Sequence, residues 1–343
     1  MPLPCFMIRG GTSRGLYFDR DDLPKDVVSR NEVLTRAMGG PDPLQIDGLG
    51  GGHPLTSKVA VLNRSMLDDV DVDYLFLQVD PVKQSVSAVQ NCGNILAGVG
   101  LYAIERGWVE TDLDKTVVRV RMLNSDSICD LEMLTPNGRI QVEGDVEIDG
   151  VPGTAAPIVC NYLDIEGATC GALLPTNNER DVVNGIEVTC VDNGMPVVLV
   201  RAQDLGITGK ETPEELDGNE GLKEKLESIR LQIGPVMNLG DISDKTVPKM
   251  CLVSSPINGG FIHTRTFIPN TCHKTIGVLG AVSVATGCLL PGSIAAELVN
   301  NPSVDGEVLA VEHPSGSLDV RLRENTAGVV RTARVLFKGE VFV

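Results

Sequence analysis

Asn91-Cys-Gly-Asn-Ile-Leu-Ala-Gly-Val-Gly-Leu-Tyr-Ala-Ile-Glu-Arg-Gly107 is the stretch that decides the fold. From Asn94 to Arg106 nearly every residue is apolar or small, which predicts a helix enclosed on all sides and stopped by Gly107 as its C-cap. A second run, Thr275-Ile-Gly-Val-Leu-Gly-Ala-Val-Ser-Val-Ala-Thr286 before Gly287, reads as its twin. Gly93 and Gly277 hold corresponding places, 184 positions apart. Working outward, two more pairs keep the same order. Gly15-Leu-Tyr-Phe-Asp-Arg-Asp-Asp-Leu23 matches Pro196-Val-Val-Leu-Val-Arg-Ala-Gln-Asp-Leu205, and Thr56-Ser-Lys58-Val-Ala-Val-Leu62 matches Val247-Pro-Lys249-Met-Cys-Leu-Val253. Three matches in one order predict an internal repeat: an N-terminal half, residues 1–182, and a C-terminal half, 183–343, joined near Pro175-Thr-Asn-Asn-Glu179. The last strand is free to pack on the first half. Alternating β-branched runs at Lys58–Leu62, Val117–Val120 and Ile186–Val191 predict strands. Each half is therefore expected to be an α/β (α+β) unit, a curved sheet around one buried helix. A charged amphipathic segment over about 213–230 predicts a surface helix.

A chain of 343 residues suits two such units. With 29 Lys and Arg against 46 Asp and Glu, the net charge of −17 argues against a nucleic-acid or anionic-membrane partner. Aromatic residues make up only 3%, so the core must be aliphatic and base-stacking platforms are absent. Arg9 interrupts the N-terminal apolar residues at once, so no signal peptide is read, and Ile276–Leu290 is too short for a membrane span. Nine cysteines without a C-x-x-C pair point to reduced thiols and a cytoplasmic protein, most of them serving as small core residues. The four histidines lack metal-ligand spacing, so no metal is expected.

Several motifs carry chemistry or mimic it. Gly11-Thr-Ser13-Arg-Gly15 fits the G-x-S-x-G elbow of hydrolases, but Leu16-Tyr-Phe18 continues as a strand rather than opening a helix. Arg9-Gly-Gly-Thr-Ser-Arg-Gly15 reads better as a hairpin turn, either plain or offering N–H groups and hydroxyls to a ligand carboxylate. Gly98-Val-Gly-Leu-Tyr-Ala103 matches a dinucleotide fingerprint, yet it lies inside the apolar helix, where helix packing explains its glycines. Asp47-Gly-Leu-Gly-Gly-Gly52 is a loop able to approach a substrate, or an ordinary one. Lys58 opens an apolar strand; it either snorkels or is buried as a usable base. In Gln90-Asn-Cys92-Gly-Asn94, a cysteine sits where a helix begins, where the dipole favours a thiolate and asparagines can cap. Cys272-His-Lys-Thr-Ile-Gly277 holds the equivalent place in the second half.

Taken together, Arg9-Gly-Gly-Thr-Ser, Gln45-Ile-Asp-Gly-Leu-Gly-Gly, Leu55-Thr-Ser-Lys-Val-Ala, Asp71-Val-Asp-Tyr-Leu-Phe, Asn91-Cys-Gly-Asn-Ile-Leu-Ala-Gly-Val-Gly, Asp192-Asn-Gly-Met-Pro, Met237-Asn-Leu-Gly-Asp, Val247-Pro-Lys-Met and His273-Lys-Thr-Ile-Gly-Val-Leu-Gly resemble the PrpF-type isomerases. Within that family the resemblance is to the oxalomesaconate tautomerases, also described as Δ-isomerases, of gallate and protocatechuate breakdown. It implies a diaminopimelate-epimerase-like fold with two pseudo-symmetric halves. It also implies a cofactor-free 1,3-proton shift on an unsaturated tri- or dicarboxylic acid, 4-oxalomesaconate foremost. Lys58 matches the family's base and Cys92 its partner in proton transfer. Arg9, Thr12, Ser13, Ser57, Asn91, Gly93 and Asn94, with His273, Thr275, Ile276 and Gly277, fall where the substrate would be held. Two departures bear on substrate identity: Arg14 stands where the family usually has lysine, and Gly50-Gly-Gly52-His53 replaces a more usual G-G-A. The competing readings are a Δ-isomerase of aconitate or methylitaconate and a non-catalytic tricarboxylate-binding accessory protein. A two-cysteine epimerase fits less well, because the repeat sets Ile276 opposite Cys92. Self-association into a homo-oligomer is left open.

Overall fold

The computed structural model describes residues 2–88, 91–243, 245–299, 308–323 and 326–343. In chain order the first part of it contains β1 (Pro2–Gly10), β2 (Ser13–Asp19), α1 (Val27–Ala37), β3 (Lys58–Arg64), β4 (Val72–Asp80), β5 (Ser85–Ser87), α2 (Gly93–Leu96), α3 (Val99–Glu105), β6 (Lys115–Met122), β7 (Ser127–Leu134), β8 (Val146–Glu147), β9 (Thr154–Ala155) and β10 (Ile158–Leu163). There follow β11 (Asp181–Val183), β12 (Ile186–Asp192), β13 (Pro196–Arg201), α4 (Pro213–Asp217), α5 (Glu220–Val236), β14 (Lys249–Ser254), β15 (Ile262–Phe267), α6 (Val278–Leu289), β16 (Val308–His313), β17 (Gly316–Arg323), β18 (Thr326–Arg331) and β19 (Ala333–Phe342). By internal contacts the chain forms two compact units, residues 1–163 with 330–343, and residues 164–329.

In the first unit, β1/β2 are antiparallel, β2/β3 parallel, β3/β4 antiparallel, β4/β6 parallel and β6/β7 antiparallel. In the second unit, β12/β13, β13/β14, β14/β15, β15/β16 and β16/β17 repeat the same succession of senses. The repeat extends to register. Lys58 opens β3 opposite Gly15, and Lys249 opens β14 opposite Val197. The last strand, β19, pairs antiparallel with β1 from Pro2↔Phe342 to Gly10↔Ala333. Successive side chains of a strand point to opposite faces, and in β3, β13, β14 and β15 both faces are buried over most of the strand. Val59 and Val61 join Leu16, Phe18, Leu77 and Val79 in a core with Leu34 and Ala37 of α1. The other face, carrying Lys58 and Gly15, turns toward α2, because a Cβ at Gly15 would press on Ile95.

The helices depart from the sequence expectation in three ways. The first buried helix is interrupted at Ala97 and Gly98 rather than running to Arg106 without a break. The cause is Tyr17, fully buried on β2, whose hydroxyl donates to the Ile95 carbonyl at 2.5 Å and takes the acceptor that Val99 would use. Only Gly fits beside it, since a Cβ at position 98 would collide with the phenol oxygen. The second helix begins at Val278, three residues later than the run from Thr275 suggested, and continues through Gly287. Gly287 is a packing residue facing Leu199, not a stop. The surface helix divides into α4 and α5 at Asn219, whose side chain accepts from Leu222 N–H. Tyr17→Phe is expected to cost about 1 kcal/mol, the net worth of one buried hydrogen bond, read as a lower urea midpoint with unchanged slope. None of the helices among the described residues is long and apolar enough to cross a membrane.

Candidate functional site

One strand face organises the chemistry of the first unit. Tyr74, Phe76 and Gln78 alternate along β4 and each touches a residue singled out by the sequence. The Tyr74 hydroxyl donates to the Cys92 carbonyl at 3.2 Å. The Phe76 ring lies under the Lys58 ammonium, 5.1 Å from Nζ. Gln78 Oε1 accepts from Lys58 Nζ at 2.8 Å. Lys58 and the backbone of Cys92 are thus both attached to one face of β4, Lys58 through Phe76 and Gln78 and Cys92 through Tyr74. Lys58 is only 7% exposed. Of the nine cysteines, all unpaired, eight are buried and Cys92 alone is not. Burial holds the Tyr17 and Tyr74 phenols far above their ordinary range, and a thiolate at Cys92 would push them further, so both act as donors.

The glycine turn between β1 and β2 closes on the start of α2. Gly11 has a φ of 50°, and a Cβ at Gly10 or Gly11 would run into the carbonyl or the side-chain oxygen of Asn94. That approach lets Asn94 Nδ2 donate to Thr12 Oγ1 at 3.0 Å. Ser13 is 2% exposed and its Oγ has no partner among the described residues. Asn91 donates from Nδ2 to Ser125 Oγ at 2.7 Å, while its buried Oδ1 has no partner among the described residues. Two unfilled polar groups beside Cys92 and the turn are what a polar ligand would satisfy. Arg9 is differently engaged: Nη1 donates to Gly11 O, Thr332 O and Thr332 Oγ1 at 3.0, 3.1 and 3.0 Å, so it braces the turn. Ser57 Oγ donates to Gln45 Oε1 and His53 O, and Gln45 also accepts from Gly52 N–H, which ties the glycine-rich loop to the residue before Lys58. Gly93 opens α2. Gln90 lies outside the described residues.

In the second unit, His273 donates its N–H to Thr266 O at 2.7 Å, and its Nδ1 accepts from Thr275 N–H at 2.9 Å. Ile276 is buried, and Gly277 is an exposed N-cap with no side-chain cap on α6. Cap position therefore pairs Cys92 with Gly277, one residue beyond the Ile276 given by the sequence offset. Cys272 sits five residues earlier, bridged to Phe267, and burial raises its thiol to about 12. Asp192 accepts from Thr169 and Cys170 N–H, and Asn193 donates to Thr286, so the Asp192-Asn-Gly-Met-Pro motif is structural. Lys249, quoted in the sequence only as a repeat match, is 8% exposed and burial lowers it to about 8. Gln78 drew no attention in the sequence, because its role depends on the β3/β4 register. Among the described residues no three His, Cys, Asp or Glu side chains are grouped to hold a metal.

The PrpF protein family matches residues 1–343. The chain is 54% identical to 4-oxalomesaconate tautomerase of Pseudomonas putida, covering 99% of this chain and 96% of that protein. It is 53% identical to (4E)-oxalomesaconate Δ-isomerase of a Novosphingobium species, over 99% and 97%. The crystal structure of a methylitaconate-Δ-isomerase superposes with a TM-score of 0.89 at 33% identity, over 100% of this chain and 96% of that one. The architecture is the diaminopimelate-epimerase-like fold that the resemblance implied. The chain belongs to the PrpF family, and within it is an isomerase.

Proposed function

We propose that the protein catalyses a 1,3-proton shift in 4-oxalomesaconate, with Lys58 as the base and Cys92 as the second proton carrier. The observation that supports this reading is the β4 face, which carries Phe76 and Gln78 against the buried Lys58 amine and Tyr74 against the backbone carbonyl of Cys92, the one cysteine that is not buried. The neutral Lys58 amine takes a proton from the carbon next to the unsaturated system, and the electron pair spreads into the keto and carboxylate groups. The Cys92 thiol then gives its proton to the far end of that system, and the ammonium returns a proton to the thiolate through solvent. Ser13 Oγ, buried and unpartnered among the described residues, donates to the oxygen on which charge develops. Asn91 Oδ1 is placed to accept from an enol hydroxyl. The substrate assignment rests on the two relatives that are more than half identical. We place the reaction in the cytoplasm, in the breakdown of aromatic acids.

The test is a panel of acids in deuterium oxide followed by proton NMR: 4-oxalomesaconate, 3-methylitaconate and 2-methylaconitate, the last two after more distant relatives. Turnover with deuterium entering the product is expected for 4-oxalomesaconate at least tenfold faster than for the others. Faster turnover of a methylated acid would move the assignment to that substrate. Binding of all three without any exchange would show a carrier rather than an enzyme.

A further inference from the structure

We infer that Gln78 is a positioning residue for the reaction, holding the Lys58 amine in place through an amide whose orientation the backbone dictates. This rests on the reading of Lys58 as the base. Gln78 is the direct cross-strand partner of Lys58 in the β3/β4 ladder. An amide side chain has a donor end and an acceptor end, and which end faces a neighbour is decided by the rest of its contacts. Here Nε2 donates to Pro54 O at 3.1 Å and to Ser57 O at 3.0 Å. Turning the amide over would set Oε1 against two carbonyl oxygens. The acceptor end is thereby fixed on Lys58 Nζ at 2.8 Å, with the Phe76 ring 5.1 Å below.

The same device links the amine to the glycine-rich loop. Ser57, whose carbonyl orients Gln78, is itself tied through its hydroxyl to Gln45, and Gln45 receives Gly52 N–H. No ion pair engages Lys58 among the described residues. The titratable groups on its face are Tyr17 of β2, Tyr74 of β4 and Cys92 ahead of α2, and the preceding turn adds an exposed His53. An amide acceptor is thus the principal polar partner of the amine. An acceptor stabilises an ammonium more than an amine, so exchanging the residue at position 78 changes both where Nζ sits and how readily it gives up a proton relative to the wild type.

Two substitutions separate positioning from mere packing. Gln78→Met removes the acceptor and keeps the bulk. It is expected to lower kcat about 10- to 100-fold, as a displaced catalytic group does, with KM within about threefold of wild type. The acid limb of its pH–rate profile should move to lower pH. Gln78→Glu supplies a charged acceptor and should move that limb to higher pH, while its carboxylate faces the Pro54 and Ser57 carbonyls and lowers Tm. Opposite displacements of one limb by two changes at one residue do not arise from general loosening. A kcat for Gln78→Met within threefold of wild type, or a limb that stays put or moves upward, overturns the inference; should Gln78→Glu fail to fold, Gln78→Met decides alone. Lys58→Met run in parallel keeps the two claims apart. If it retains deuterium exchange, the assignment of the base fails; if it is silent while Gln78→Met behaves as wild type, only the role of Gln78 fails.

Discussion

Lys58→Met is expected to lose between about 10² and 10⁴-fold in kcat/KM, the usual worth of a positioned general base, and to stop deuterium washing into 4-oxalomesaconate. Methionine keeps the length and most of the volume of the side chain over Phe76, so the fold is retained and the loss is chemical. Lys58→Arg sharpens the result. Arginine preserves the positive charge but stays protonated across the accessible pH range, so it could still anchor a carboxylate but could not accept a proton. A dead Lys58→Arg with near-normal KM marks a base, whereas an active one would mean that position 58 only binds. Cys92→Ser separates the second transfer: exchange at the first carbon is expected to persist while product formation falls, because the serine hydroxyl is a far weaker acid than a thiol.

Lys249→Met is expected to stabilise the protein by an amount on the order of 3 kcal/mol at neutral pH. The second-unit lysine is 8% exposed, and burial, with Arg230 nearby, lowers it from an ordinary 10.5 to about 8. At about 1.4 kcal/mol per pH unit, holding that ammonium inside costs the folded state roughly this much. The sign follows from proton counting. Between about pH 8 and 10.5 the unfolded chain holds a proton on this lysine that the folded chain has released, so stability rises with pH across that interval. Below pH 8 both states are protonated and the full cost is present. Urea unfolding of the wild type at pH 7 and pH 10 should show that gain, and the Met variant should lack it. Equal pH dependence in the two proteins would mean that the ammonium is solvated in solution.

Most of the framework was legible because it is written in local signals. The strands opened by Lys58 and Ile186 are marked by β-branched apolar residues, and the two apolar helices announce burial by their lack of any polar side. What could not be read was settled by residues distant in sequence. The break at Gly98 is made by Tyr17, about eighty positions earlier, and no periodicity within the helix reveals it. Gly287 looks like a stop and is instead a notch for Leu199. Among candidate site residues, Thr12 and Asn94 are joined in the first unit, while the partners of Arg9 could not be read because Thr332, at the far end of the chain, supplies two of its acceptors. Gln78 escaped notice for the same reason in reverse: a glutamine in a strand is unremarkable until the register sets it against a lysine.

The pairing of β1 with β19 also fixes an order of events during synthesis. At roughly 5–20 residues per second, the segment that builds the second unit is synthesised before residues 333–342 exist. Until then β1 presents an open edge, a template for wrong pairings, and Arg9 and Gly11 have no Thr332 to bond. The turn bearing Thr12 and Ser13 is therefore finished last, after residues 164–329 have had time to fold. A nascent chain of this protein carries an open β1 edge until its last strand is made, the interval in which a chaperone has most to shield.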